Sequence, residues 1–241
     1  THVIRVLAPK ASDSECDLTK NSQFCTRQTK IQAQRLKNHN LTCPPMAALP
    51  PSSRPPTVLI VEGLIGAGKS TLIRDVLLPE LSKHHKVQVI REPVDEWVKS
   101  GLLQRFYGDK QRWSYTFQTK AFYDRIMEAR TIMAERARLP VAEQSDVIVM
   151  ERSPLSDQIF MRTLHDEGAV DDLEYALYQD WCNLWSLVLP FRISLFLYIR
   201  TDLDQCMSRL QQRSRDGETG VSRDYQAHLL REHDREFHRP V

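Results

Sequence analysis

A chain of 241 residues, 41% hydrophobic and 27% charged, has the balance of a soluble globular protein with one ordinary core. No apolar run approaches the roughly 18 to 20 residues of a membrane-spanning helix, and no charged-then-apolar signal opens the chain, so the expectation is an intracellular protein without a membrane role. The net charge of +2 is uneven: residues 1–56 hold eight basic side chains against three acidic ones, which leaves the rest acidic and argues against a nucleic-acid groove there.

Residues 1–56 show neither a period of 2 nor one of 3.6 and end in Pro44-Pro45, Pro50-Pro51 and Pro55-Pro56, so they are expected to form a disordered or non-native tail. The acid-free stretch from Asn21 to Cys43 has the character of a mitochondrial transit peptide, while a start at Met46 would exclude residues 1–45. The expected compartment is the cytoplasm, with the mitochondrion as the alternative. The five cysteines form no CxxC pair and read as free thiols, with no metal assigned to them.

From Thr57 onward, apolar runs alternate with helix-period segments. Strands are expected at 57–62, 86–91, 146–151 and 192–199, and helices at 69–82, 110–137, 153–166, 171–188, 202–213 and 222–237. This alternation predicts an α/β fold, a parallel sheet flanked by helices.

The first strand leads into Gly63-Leu64-Ile65-Gly66-Ala67-Gly68-Lys69-Ser70, followed by Thr71, a full GxxxxGK[ST] match placed between strand and helix. Glycines let the backbone curl so that N–H groups point at phosphate oxygens, the helix N-terminus adds its dipole, and Lys69 adds a mobile cation. The Ser70 hydroxyl is placed to ligate Mg²⁺. The motif predicts a P-loop NTPase fold that takes a nucleoside triphosphate, and leaves the acceptor open.

The second strand ends in Arg91-Glu92-Pro93-Val94 and the third in Glu151-Arg152-Ser153. Open parallel sheets bind ligands at those strand ends. Two acids and an arginine beside a P-loop suit phosphoryl transfer: one acid takes the acceptor hydroxyl's proton, the other serves Mg²⁺, and the arginine offsets charge. Which of Glu92 and Glu151 takes the proton stays open. On the long helix Gln118 and Arg125 are seven residues apart and so share a face. Asp157 is the natural partner for Arg125, as a pocket pair or as an exposed one. His84, His85, His228, His233 and His238 have no metal motif and read as solvated.

The motifs Glu92-Pro93-Val94 with Trp97, Arg112 through Thr119, Glu151-Arg152-Ser153 with Asp157, Tyr178 through Trp181, and Arg209, Arg213 and Arg215 before Glu218 follow the P-loop in order. Over about residues 57–239 the sequence resembles the deoxycytidine kinase, deoxyguanosine kinase and mitochondrial thymidine kinase family, and residues 57–241 are read as that kinase domain. The resemblance implies an ATP-dependent, Mg²⁺-assisted deoxynucleoside 5′-kinase of nucleotide salvage, a homodimer. Glu92 would then be the general base, Tyr107 and Glu218 would hold the sugar 3′-hydroxyl, Trp97 and Phe117 would wall the base pocket, and Gln118 would meet the base edge. Arg152 would sit at the phosphoryl group with Glu151 near Mg²⁺. Arg209, Arg213 and Arg215 would serve ATP, and residues 213–220 would form a lid. Family members that resemble deoxycytidine and purine kinases keep an Arg and Asp like Arg125 and Asp157, which implies those substrates over thymidine. The resemblance also implies a further strand and closing helix beyond Val241, and a base-stacking Phe at the position of Met161, with Phe160 one step earlier. An alternative of another class is a non-catalytic nucleotide-binding relative acting as a subunit of a larger complex.

Overall fold

The computed structural model describes residues 2–8, 55–189, 191–213 and 220–238. Strand β1 (His2–Leu7) is followed among the described residues by β2 (Thr57–Gly63) and the P-loop. Helix α1 continues through Lys69–Leu72, a π-helical turn Ile73–Leu77, and Leu78–Leu81. Next come β3 (Val87–Ile90), α2 (Val94–Lys99), α3 (Leu102–Gly108) and the long α4 (Lys110–Arg138). The chain then forms β4 (Val147–Glu151), α5 (Pro154–Asp166), α6 (Asp172–Val188), β5 (Leu195–Thr201), α7 (Leu203–Arg213) and α8 (Arg223–Phe237).

The strands form one sheet in the order β1-β5-β2-β4-β3. Four of them run parallel, and β1 pairs antiparallel with β5, from His2 opposite Thr201 to Leu7 opposite Phe196. The expectation of an unstructured tail therefore fails at its beginning, where His2–Leu7 joins the sheet edge: backbone pairing with β5 supplies the order that side-chain periodicity did not signal.

Parallel strands covered on both faces read as continuous apolar runs. Accordingly β4 is buried throughout, and β2 after its first residue. Alternation still sorts their side chains. Val58, Ile60, Ile148 and Met150 face the larger core under α4, α5 and α8, whereas Leu59, Val61, Val147 and Val149 face α1. The same parity sends Glu151 toward α1 and Glu62 toward the larger core.

Helix α4 starts where the Asp109 side chain accepts the Arg112 N–H, and stops at extended Leu139 before Pro140. It buries Phe117, Gln118, Ala121, Phe122, Arg125 and Ile126, a run of polar and apolar side chains turned to the core and cleft. Helices α2 and α3 were not expected from the sequence. They are short, and Gly101, with φ of 70°, separates them. His233 is fully buried, contrary to its solvated reading: it packs against Phe160, Tyr198 and Phe237, and its Nδ1 bonds the Leu229 carbonyl at 2.8 Å. Cys182 and Cys206 are free and buried.

Candidate active site

A cleft of about 830 Å³ opens over the C-terminal ends of β2, β3 and β4, lined on one side by residues 65–71 of the P-loop and on the other by Glu92, Trp97, Tyr107, Phe117, Gln118 and Arg125. The P-loop geometry depends on glycine. Gly66 has φ of 81°, and a Cβ there would come within 2.6 Å of the Cys206 carbonyl oxygen. At Gly63 a Cβ would stand 2.7 Å from the Ile199 carbonyl oxygen. Any side chain at these positions would push the loop off β5 and α7.

The loop is also held from outside by groups that sequence motifs did not reveal. Thr201 Oγ1 donates to Ala67 O at 3.0 Å, and Gln226 Nε2 to Ile65 O at 2.9 Å. Arg209, expected at ATP, donates through Nη1 to Ala67 O at 3.0 Å, so it braces the loop that it flanks. Lys69 folds back, its Nζ donating to the carbonyls of Gly63 and Leu64 at 3.0 Å each. Burial, reinforced by Arg152, brings its pKa down to about 8, against the pull of Glu151, Glu92 and Glu62.

Because Glu151 points toward α1, its Oε1 accepts the Ser70 hydroxyl at 2.7 Å. A hydroxyl and a carboxylate side by side at the loop's end suit Mg²⁺, which keeps most of its waters and takes one or two protein oxygens beside phosphate. Among the described residues no group of three or more His, Cys, Asp or Glu could hold a metal by itself.

Across the cleft, Arg125 organises the acceptor wall. Its Nε and Nη2 donate to Asp157 at 2.8 and 3.0 Å, Nη2 also to Glu92 Oε1 at 3.0 Å, and Nη1 to Glu151 O at 3.0 Å. Arg125 and Asp157 are both 3% exposed, so this is a buried pair and not an exposed one. Burial works against the Arg125 charge, and the Asp157 and Glu92 carboxylates more than offset it. Arg152 Nε lies 3.3 Å from Glu92 Oε1. Burial alone would raise the Glu92 pKa, but Arg152, Arg125 and Lys69 bring it below the ordinary carboxylate value.

The aromatic wall is tightly built. Trp97 meets Phe117 edge-on at 5.2 Å and donates Nε1 to Asp124 at 2.8 Å, while Phe106 stacks behind Phe117 at 4.5 Å. The aromatic cleft residue on α5 is Phe160, with the Arg152 guanidinium 4.8 Å over its ring. Met161, one step on, is fully buried in the core, so it is Phe160 and not Met161 that faces the cleft. Trp113 does not reach the cleft; Arg105 and Arg112 lie over its ring. Arg213 lines the cleft, whereas Arg215, Glu218 and residues 214–219 as a whole lie outside the described residues. Gly220, just past them, is packed so closely on Tyr107 that a Cβ would come within 2.7 Å of the Tyr107 Cβ. Glu62 and Ser153 stand within sequence motifs but were given no role there; an acid at the end of an apolar central strand was the available signal.

A parallel sheet that carries a phosphate loop on one side of its strand ends, facing an ionised carboxylate between two guanidiniums, defines the P-loop class of phosphotransferases. Comparison with known proteins narrows the class: the deoxynucleoside kinase model matches residues 59–239, and the chain belongs to that family. It is 36% identical over 196 residues to deoxycytidine kinase 2 of Gallus gallus, covering 72% of this chain and 71% of the relative. Identity is 34% over 166 residues to a probable deoxycytidine kinase of fowlpox virus, covering 68% of this chain and 65% of the relative. With a mitochondrial deoxyguanosine kinase of Xenopus laevis it shares 31% over 196 residues, 73% of this chain and 71% of the relative.

Proposed function

We propose that this chain transfers the γ-phosphate of ATP to the 5′-hydroxyl of a deoxyribonucleoside, in nucleotide salvage, and prefers deoxycytidine or a purine deoxynucleoside to thymidine. The observation that carries this reading is the buried guanidinium of Arg125, which ties the base-recognition acid Asp157 to the strand-end acid Glu92. Deoxycytidine and deoxyguanosine kinases among the relatives support the substrate class.

Glu92 is the general base. Ser70 already engages Glu151, whereas Glu92 faces the acceptor side between Arg125 and Arg152. As the 5′-oxygen bonds to the γ-phosphorus, the bond from phosphorus to the β,γ-bridging oxygen breaks, ADP leaves, and the hydroxyl proton passes to Glu92. A weak, ionised base is sufficient because phosphoryl transfer proceeds through a loose transition state in which little proton transfer is needed early. Lys69 and Arg152 offset charge on the transferring group. Ser70 and Glu151 would hold Mg²⁺ beside the ATP phosphates, where it would supply further charge neutralisation. Gln118, with a donor and an acceptor side by side, reads the base edge, and Trp97, Phe117 and Phe160 enclose the ring. Tyr107 holds the 3′-hydroxyl, and Arg213 serves the ATP phosphates beside the loop-bracing Arg209.

Two copies of the chain pair through α6, where Leu173, Leu177, Trp181 and Leu184 form an exposed apolar stripe at helical spacing, next to exposed Tyr123 and Met127 of α4. No helix among the described residues is long and apolar enough to cross a membrane. We assign the cytoplasm; the mitochondrial Xenopus relative supports the alternative. The deciding experiment is steady-state turnover with Mg·ATP and each of the four natural deoxynucleosides. A ranking by kcat/KM with thymidine last supports the reading; no product from any of them, or thymidine first, overturns it.

A further inference from the structure

We propose that Glu62 is a positioning residue for phosphoryl transfer: through the Ser153 hydroxyl it locks Arg152 in the backbone conformation that aims its guanidinium into the cleft. The proposal rests on the kinase reading above and adds a residue that lies outside the P-loop and does not line the cleft.

Arg152 stands at an unusual point. Its φ is 65°, the one non-glycine residue with positive φ among the described residues, and arginine gains nothing from the left-handed region that would keep it there. A single residue held so is strained and persists only where its surroundings impose it. The surroundings are visible on both sides. Before the kink, β4 is paired with β2, and the Arg152 N–H donates to Val61 O at 3.0 Å. After it, Ser153 Oγ donates to Glu62 Oε1 at 2.5 Å, and the Ser153 N–H donates to Ser156 Oγ at 3.2 Å as α5 begins. Residues 61 and 62 of β2 thus grip residues 152 and 153 from consecutive positions. The kink takes the chain from Glu151, turned to α1, into α5 and turns Arg152 toward Glu92.

Glu62 has no other described role that would explain its presence. It is fully buried directly after the Val58–Val61 run of Val, Leu and Ile in β2, where an isolated acid is costly. Its second oxygen, Oε2, has no hydrogen-bond partner among the described residues, nor does Arg152 Nη1. Burial raises the Glu62 pKa to about 7 against the opposing pull of Arg152, Ser153, Arg125 and Lys69, so near neutrality the carboxyl is partly protonated. An uncharged acceptor would serve the Ser153 hydroxyl equally well. Glu62→Gln should therefore keep the anchor, whereas Glu62→Ala or Ser153→Ala removes it.

The test is a double-mutant cycle on the full chain. Glu62→Ala, Glu62→Gln and Ser153→Ala are each made alone and together with Arg152→Ala, and kcat, nucleoside KM and the urea midpoint are measured. Release of the kink misplaces Arg152, so Glu62→Ala and Ser153→Ala should lower kcat by about 10- to 100-fold while nucleoside KM changes by no more than about twofold. Glu62→Gln should retain kcat within about threefold. In the Arg152→Ala background, the kcat effect of Glu62→Ala and Ser153→Ala should nearly vanish, because Arg152 is the group through which both act. Should Glu62→Ala not fold, Ser153→Ala, which removes one oxygen atom, carries the same test. Equal kcat losses in both backgrounds, or a drop in stability with kcat intact, overturns the proposal. Failure of wild type to phosphorylate any deoxynucleoside would instead overturn the kinase reading, so the two failures are distinct.

Discussion

Arg125 Nη2 lies 3.0 Å from Glu92 Oε1 while the same guanidinium chelates Asp157. In the proposed function, substrate recognition and catalysis are therefore joined through one side chain. Changing Glu92 to Gln keeps shape and acceptor capacity but removes the base, and kcat should fall by roughly 10² to 10⁴ with nucleoside binding retained. Steady-state kinetics alongside equilibrium nucleoside binding would check this; an unchanged kcat would transfer the role to Glu151.

The join also shapes what a specificity variant must look like. Arg125→Met alone leaves Asp157 buried without its cation, which is expected to cost about 3–5 kcal/mol. The double variant Arg125→Met, Asp157→Ala removes both charges and should recover much of that stability. Its kcat/KM ranking should shift toward thymidine, and because Glu92 also loses its partner, kcat should fall for every nucleoside. Comparing urea unfolding of the single and double variants with the four-substrate ranking would reveal a double variant whose preference had not moved.

The pH profile has two limbs with different owners. Glu92 is held below the usual carboxylate range by its guanidinium neighbours, so the base stays ionised and kcat should be flat from neutral pH down past 5. Lys69 has a pKa brought down to about 8, and loss of its proton weakens phosphate binding, so kcat/KM for ATP should decline above that pH. A profile of kcat/KM for ATP from pH 6 to 10 that stays level would count against Lys69 as the cation.

His233 makes stability depend on pH in a way that a variant can isolate. Burial brings its pKa down to about 3, while in the unfolded chain it lies near 6.5. Between those values the unfolded state binds more protons, so its contribution is full above about 6.5 and is lost as pH falls toward 3. Glu62, raised to about 7, acts in the opposite sense between its unfolded value and 7, and masks the trend in wild type. The stability difference between wild type and His233→Gln should therefore shrink by about 2 kcal/mol from pH 7.5 to pH 5. Urea midpoints at the two pH values measure it.

Gly220 offers a test of how the segment before α8 meets the acceptor site. A Cβ there would stand 2.7 Å from the Tyr107 Cβ and 2.8 Å from its carbonyl oxygen, and backbone cannot yield as a side-chain tip can. Gly220→Ala should displace Tyr107 and raise nucleoside KM by about tenfold, with ATP KM changing much less. Equal changes in both would indicate a general disturbance of the cleft.

Sequence alone was enough for the class of fold and the phosphate side. Alternating apolar runs and helical periods placed the four parallel strands and α1 and α4 through α8, and GxxxxGK[ST] is a local motif whose glycines, lysine and serine act within a few residues of one another. The acceptor side was legible only as candidates. That Arg125 reaches Asp157 and Glu92 at once, that Phe160 and not Met161 enters the cleft, and that Glu151 turns to Ser70 depend on helix rotation and strand parity across positions 26 to 81 residues apart in the chain. The burial of His233 was equally hidden. Its type suggested solvent, and only packing decided otherwise, because the cost of desolvation and the partners that offset it exist only once distant segments have packed.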